Sequence, residues 1–176
     1  MGFIPTPMVN SRTVFAALVF TFLASCASAA TAPKLSISSL SDLSVPDAPF
    51  DSRVNADVAV DVALARAEKS GKRVLIHLGA NWCADCRILV GVMELPEMQA
   101  FLNAHYEVVS VDVGRFSRNM QIPARFGISQ DLDGVPAVLI VSPDGRLLNP
   151  GAVWAIEDVR RMTPQKLADW LAQWAP

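Results

Sequence analysis

Apolar and polar positions divide the chain into three stretches of different character. From Thr13 to Ala24 the run Thr-Val-Phe-Ala-Ala-Leu-Val-Phe-Thr-Phe-Leu-Ala holds no charge and no polar face. From Thr31 to about Val54 no apolar period is sustained, and serines are interspersed with Pro33, Pro46 and Pro49, which predicts an extended tether over 31–54 with Phe50 able to dock near its end. From Asn55 to the end, helically spaced apolar residues alternate with short unbroken apolar runs, so 55–176 reads as one folded domain.

Within that domain the segment Asn55 to Gly71 is Ala-rich, offers Asn55 or Asp57 as an N-cap and stops at a glycine suited to a left-handed C-cap, which predicts a helix. Arg73-Val-Leu-Ile-His-Leu-Gly79 is short and almost wholly apolar, as expected of a strand buried on both faces. A helix from about Cys83 through Met93 follows, then another from Pro96 to His105, with Met98, Phe101 and Leu102 at helical spacing. Glu107 to Val113 and Val135 to Val141 read as further strands, with a short helix near Asn119 to Phe126 between them. Ser142-Pro-Asp-Gly145 is a turn from which Arg146 to Leu148 can return antiparallel, and Thr163-Pro164 opens a last helix to about Trp174. Helices separating apolar strands require crossover connections, so the fold class is α/β in three layers, a central mixed β-sheet flanked by helices.

The first stretch changes the picture of where the domain works. Arg12 precedes the apolar run and small residues follow it, the three-part layout of a secretory signal peptide over residues 1–30, and the run is too short to span a bilayer comfortably. Two processing routes compete. Ala27-Ser28-Ala29 suits ordinary signal peptidase, whereas Leu23-Ala24-Ser25-Cys26 resembles a bacterial lipobox that would leave Cys26 lipidated and the protein held on a membrane facing the periplasm. Either route makes the protein exported. The formal net charge is −2 and the basic residues form no stripe interleaved with aromatics, so a nucleic-acid partner is not indicated.

Cysteine usage then narrows the chemistry. One of the three cysteines, Cys26, lies in or at the end of the leader, which leaves Cys83 and Cys86 as the folded part's only thiols and excludes a structural disulfide framework. The sequence Trp82-Cys-Ala-Asp-Cys86 follows a buried strand and opens a helix. There the helix N-terminus favours an anion, lowering the first thiol's pKa and supplying the nucleophilic thiolate, while Cys86 one turn on is placed to resolve a mixed disulfide. This predicts a redox pair that needs no cofactor and no metal, exchanging with protein thiols and disulfides.

The stretch from about Arg73 to Gly151 resembles the thioredoxin superfamily, on Gly79-Ala-Asn-Trp-Cys-Ala-Asp-Cys-Arg87, Val111-Asp112, Arg125-Phe-Gly-Ile128, Gly134-Val-Pro136 and Asp144-Gly145. The resemblance implies a thioredoxin-like fold and a cis bond between Val135 and Pro136 that helps form a substrate groove, to which Trp82 either contributes by shielding the thiol or contacting the partner, or is a packing residue. It also implies a thiol-disulfide oxidoreductase, of reductase or isomerase type; export adds that its clients are exported proteins and that a separate extracytoplasmic donor supplies its electrons. Between the cysteines stand Ala84 and Asp85, where ordinary thioredoxins have Gly and Pro. These two tune the couple, since the Asp85 charge opposes a thiolate and argues for a reducing or middling potential. His77 stands where ordinary thioredoxins carry a buried Asp, on the strand face shared by Leu75 and Gly79; it reads either as a proton acceptor for Cys86 or as a neutral core histidine. Two other classes compete with redox chemistry. Cys83, Cys86 and His77 could ligate copper or zinc, although further ligands are missing, or the fold could serve only as a partner-binding module.

Overall fold

The computed structural model describes residues 1–2, 30–129 and 132–176, so the apolar leader run and Cys26 lie outside the described residues. Helix α1 (Ala56–Ser70) begins where the Asn55 side chain accepts from the Val58 N–H and ends at Gly71, whose φ of 74° is the left-handed conformation that glycine adopts without strain. Its stripe of Ala56, Val60, Ala63 and Ala67 is buried, and the small residues let the helix lie close on the sheet. Strand β1 (Arg73–Gly79) is buried at every position after Arg73. It is followed by α2 (Ala84–Met93), α3 (Pro96–His105), β2 (Tyr106–Asp112), the short α4 (Gln121–Arg125), β3 (Ala137–Val141) and α5 (Pro164–Gln173). The Thr163 side chain caps α5 by accepting from the Lys166 N–H, and Pro164 in the first turn sacrifices no helical hydrogen bond.

The sheet has the order β2-β1-β3, with β1 parallel to β2 and antiparallel to β3. Because side chains alternate along β1, Val74, Ile76 and Leu78 pack with α1 and Ile122 of α4 on one face. Leu75 packs on the other with Leu89 of α2, Met98 and Phe101 of α3, and Leu167 and Leu171 of α5. Each such fully buried aliphatic side chain contributes about 1.5–3 kcal/mol, so β1, with Val74, Leu75, Ile76 and Leu78 all fully buried, is heavily anchored. It is also the strand whose far end carries the cysteines. Among the described residues no helix is long and apolar enough to cross a membrane.

Two expectations need correction. The return after the Ser142–Gly145 turn is no strand; it is reduced to a single bridge between Val141 and Leu147. Pro150 and Gly151 interrupt it, and the buried Asn149 takes over the missing ladder: its side-chain oxygen accepts from the Ile140 N–H and its amide donates to the Val138 carbonyl, both at 2.8 Å.

The stretch 31–54 is not a free tether either. Leu35 is buried in the α2/α3/α5 core, its N–H donates to the Gln165 side chain, and the Ser36 N–H donates to the Glu97 carboxylate. Leu43 and Ser44 lie against α2 at Gly91, where a Cβ would come within 2.9 Å of the Ser44 carbonyl oxygen. A few spaced apolar side chains dock this segment without any internal period, which is why its pattern reads as a linker.

Candidate active site

The end of β1, the turn Ala80–Trp82 and the start of α2 place the two cysteines. Cys83 is the N-cap of α2 and Cys86 lies in its first turn; the two form a disulfide with Cα atoms 5.3 Å apart. Cys83 Sγ accepts from the Cys86 N–H at 3.1 Å, the hydrogen bond that would hold a thiolate there after reduction. Cys86 is fully buried, while Cys83 keeps 6% of its surface and is the less enclosed of the two. Across from it the Val135–Pro136 peptide is cis, and the Val135 carbonyl oxygen lies 3.4 Å from Cys83 Sγ.

Trp82 is 47% exposed and is held at the lip of the site by its indole N–H, which donates to the Gly114 carbonyl at 2.6 Å. Phe116 meets it edge-on at 6.0 Å and the Arg115 guanidinium lies 5.7 Å from its ring centre. An open cleft of about 440 Å³ runs beside this lip, lined among others by Ser52, Asn81, Trp82 and Arg118.

Beneath the disulfide the surroundings are apolar. Phe50 packs with Cys83, Cys86 and Val90, with Val135 against them. Its approach requires Gly79, where a Cβ would lie 2.5 Å from the ring, and its backbone is clamped by Asn81, whose side chain accepts from the Phe50 N–H and donates to the Phe50 carbonyl, both at 2.9 Å.

A sequence model of the thioredoxin-like family matches residues 55–143, the span that holds both cysteines. The chain belongs to the thioredoxin-like family. A solved relative, the disulphide isomerase from Xylella fastidiosa Temecula1, is 35% identical with a TM-score of 0.66, covering 70% of this chain and 94% of that one. The thiol:disulfide interchange protein DsbD 1 of Pseudomonas aeruginosa is 35% identical over 89 residues, 49% of this chain and 14% of that protein. A protein disulfide-isomerase of Zea mays is 29% identical over 91 residues, 52% of this chain and 16% of that one. The chain thus matches only about a seventh of the length of these two curated relatives.

In this thioredoxin-like domain the candidate residues do not all gather at the sulfurs. Cys83, Cys86, Trp82, Val135 and Pro136 share one end of the sheet; Ala84 and Asp85 occupy the first turn of α2. His77 is fully buried on the α2 side of β1, and its nearest described ring neighbour is Phe50, edge-on at 5.1 Å. Among the described residues neither of its ring nitrogens has a hydrogen-bond partner, and burial lowers its pKa to about 3, so it is neutral at physiological pH. Among the described residues no three His, Cys, Asp or Glu side chains gather as a metal-ligand set.

The Asp85 carboxylate is not left facing the thiols unopposed. It accepts from the backbone N–H of Arg160 at 2.9 Å and pairs with that residue's guanidinium at 3.0 Å. Three residues of this site went unread in the sequence: Phe50's place beneath the sulfurs, the Asn81 clamp and Arg160. Asn81, next to Trp82, was within reach of a local reading; Arg160, separated from Asp85 by 75 residues, had no local signal.

Proposed function

We propose that the protein is a thiol-disulfide oxidoreductase of the reducing or isomerising kind, acting on the disulfides of exported proteins through Cys83 and Cys86. The observation that carries this reading is the cysteine pair at the N-terminus of a ten-residue helix, Cys86 fully buried and Cys83 keeping 6% of its surface beside the cis-proline loop. The names of the relatives support the same class of chemistry.

In the reaction the Cys83 thiolate attacks one sulfur of a client disulfide, forming a mixed disulfide and expelling the client's other sulfur as a thiolate that takes up a proton. Cys86 then loses its proton and attacks Cys83 Sγ, forming the intramolecular disulfide and releasing the second client thiolate. Two electrons pass from the cysteine pair to the client. A separate extracytoplasmic dithiol returns them. Trp82, Val135 and Pro136 form the groove in which the client chain lies, with the Val135 carbonyl 3.4 Å from Cys83 Sγ. His77 serves as a neutral core residue: charging it in a site where no described residue partners either ring nitrogen is costly, and Phe50 packs on its ring and also against the cysteines. The leader places the domain outside the cytoplasm, with Cys26 as lipid attachment if the lipobox route is taken.

The test is the reduction potential of the purified protein in glutathione or dithiothreitol buffers, read by alkylation and mass spectrometry. A reversible two-electron couple nearer the −270 mV or so of thioredoxin than the −120 mV or so of strong oxidants is expected. Cys83→Ser should abolish disulfide exchange, and Cys86→Ser should accumulate mixed disulfides with clients. A protein with no reversible couple would overturn the reading.

A further inference from the structure

A carboxylate inside the redox motif is a liability unless something offsets it. Asp85 lies between the two cysteines in the first turn of α2, where its charge opposes a developing thiolate and partly cancels the helix N-terminus. Its side chain is only 11% exposed, so solvent screens it weakly. The compensation comes from the other end of the chain. Arg160, in the 3-10 turn Val159–Arg161, donates its backbone N–H to the carboxylate at 2.9 Å and its Nε–H at 3.1 Å. One residue thus supplies two donors and a full positive charge.

The other charged groups around the pair do not duplicate this. Arg87 of α2 leans toward Asp47 at 3.7 Å, and Arg161 pairs with Asp158 at 3.4 Å. On the cis-proline side Glu157 approaches Gly134, adding negative charge, and His77 below the site is neutral. At the lip Arg115 rests on Trp82 and Arg118 pairs with Asp112. Among the described residues Arg160 is the cation that meets Asp85.

We propose that Arg160 is a positioning residue for the Cys83–Cys86 couple, holding the Asp85 carboxylate and cancelling its charge within the turn that carries the sulfurs. The inference rests on the redox reading above and adds a residue to it. Reduction of the disulfide adds two electrons and two protons, and Cys83 then returns its proton to solvent according to the local charge. With Arg160 in place the helix N-terminus governs that ionisation. Without it the uncompensated carboxylate disfavours the thiolate, destabilises the reduced form and shifts the couple toward disulfide. Because the guanidinium side chain is 63% exposed, it stands at the surface beside the site rather than as part of the core.

The experiment compares the unaltered protein with Arg160→Ala, Asp85→Asn, the double variant and the conservative Arg160→Lys. The Cys83 ionisation is read from thiolate absorbance against pH, and the couple from equilibrium with glutathione. Arg160→Ala should raise the Cys83 pKa and move the equilibrium up to about tenfold toward the disulfide, or about 30 mV more negative. Asp85→Asn should move both in the opposite direction, the double variant should return close to the unaltered protein, and Arg160→Lys should stay near it. A merely structural ion pair would lower stability in both single variants and leave the thiol untouched. If Arg160→Ala does not fold, the sign of the Asp85→Asn shift and the behaviour of Arg160→Lys still decide. Both single variants moving the thiol the same way, or neither moving it while the couple still titrates reversibly, would overturn the role of Arg160 alone. Absence of any reversible couple in the unaltered protein would remove the redox reading and this role together.

Discussion

Two irregular segments reach the cysteine end of β1 from opposite ends of the chain, and they bring different things. The N-terminal one, through Phe50, brings apolar cover: a ring that packs on His77, on Gly79 and on both cysteines, fixed by the two-point Asn81 clamp. The C-terminal one, from Asn149 to Arg161, brings polar groups: an amide that completes the β3 ladder and a guanidinium that meets Asp85. Apolar burial is worth its area wherever it occurs, whereas a polar contact is worth most where its loss would strand a partner. The first segment should therefore matter chiefly to stability and dryness, and the second to the alignment and charge of particular groups.

The sharpest way to break that contrast is to empty the Phe50 site. Phe50→Ala removes a side chain that is almost wholly buried, and the cost should be about 3–5 kcal/mol in equilibrium urea unfolding of the oxidised protein. A loss below about 1 kcal/mol would mean that the segment before α1 adds little to the fold. On the polar side, Asn149→Ala strands the Ile140 N–H and the Val138 carbonyl in the interior. At about 1–2 kcal/mol for each group left unpaired the same measurement should show about 2–4 kcal/mol, although far less apolar surface is removed. If Asn149→Asp, which keeps an acceptor for Ile140 but loses the donor to Val138, were as stable as the native protein, the ladder role of the amide would be wrong.

The unequal legibility of the two segments follows from the same physics. Helices α1, α3 and α5 and strand β1 stand within a residue or two of their predicted ends, because caps such as Asn55, Gly71 and Thr163-Pro164 act on their immediate neighbours. The cysteine motif was legible for the same reason: strand, turn and helix start are contiguous in sequence. Docking of 31–54 was not, since Leu35, Leu43 and Phe50 are too widely spaced to show a period, and the signal lay elsewhere, in glycines 79 and 91 that make room for them. The expected fourth strand failed because Asn149 supplies by side chain what a strand would supply by backbone. Asp85 was readable as a charge in the motif, but its compensation by Arg160 depends on tertiary approach alone.

The smallest effect tests how dry the Phe50 side is. His77 has a pKa near its ordinary 6.5 when the chain is unfolded and about 3 when folded, because burial disfavours its charged form. Between those values the unfolded chain binds the extra proton, so stability rises with pH; the contribution is complete above about pH 6.5 and is lost as pH falls toward 3. From pH 7.5 to 5.5 the native protein should lose roughly 1.4 kcal/mol on this account, and His77→Leu, which carries no titrating group, should lose almost none. The same variant separates the two readings of the histidine. As a neutral core residue its replacement leaves disulfide-exchange rates unchanged between pH 6 and 8, while the loss of a proton acceptor for Cys86 would slow exchange across that whole range, in which the buried imidazole is already neutral and able to take the proton. A flat stability difference between the two proteins across this range would mean that water reaches the ring, and that the cover Phe50 provides is incomplete.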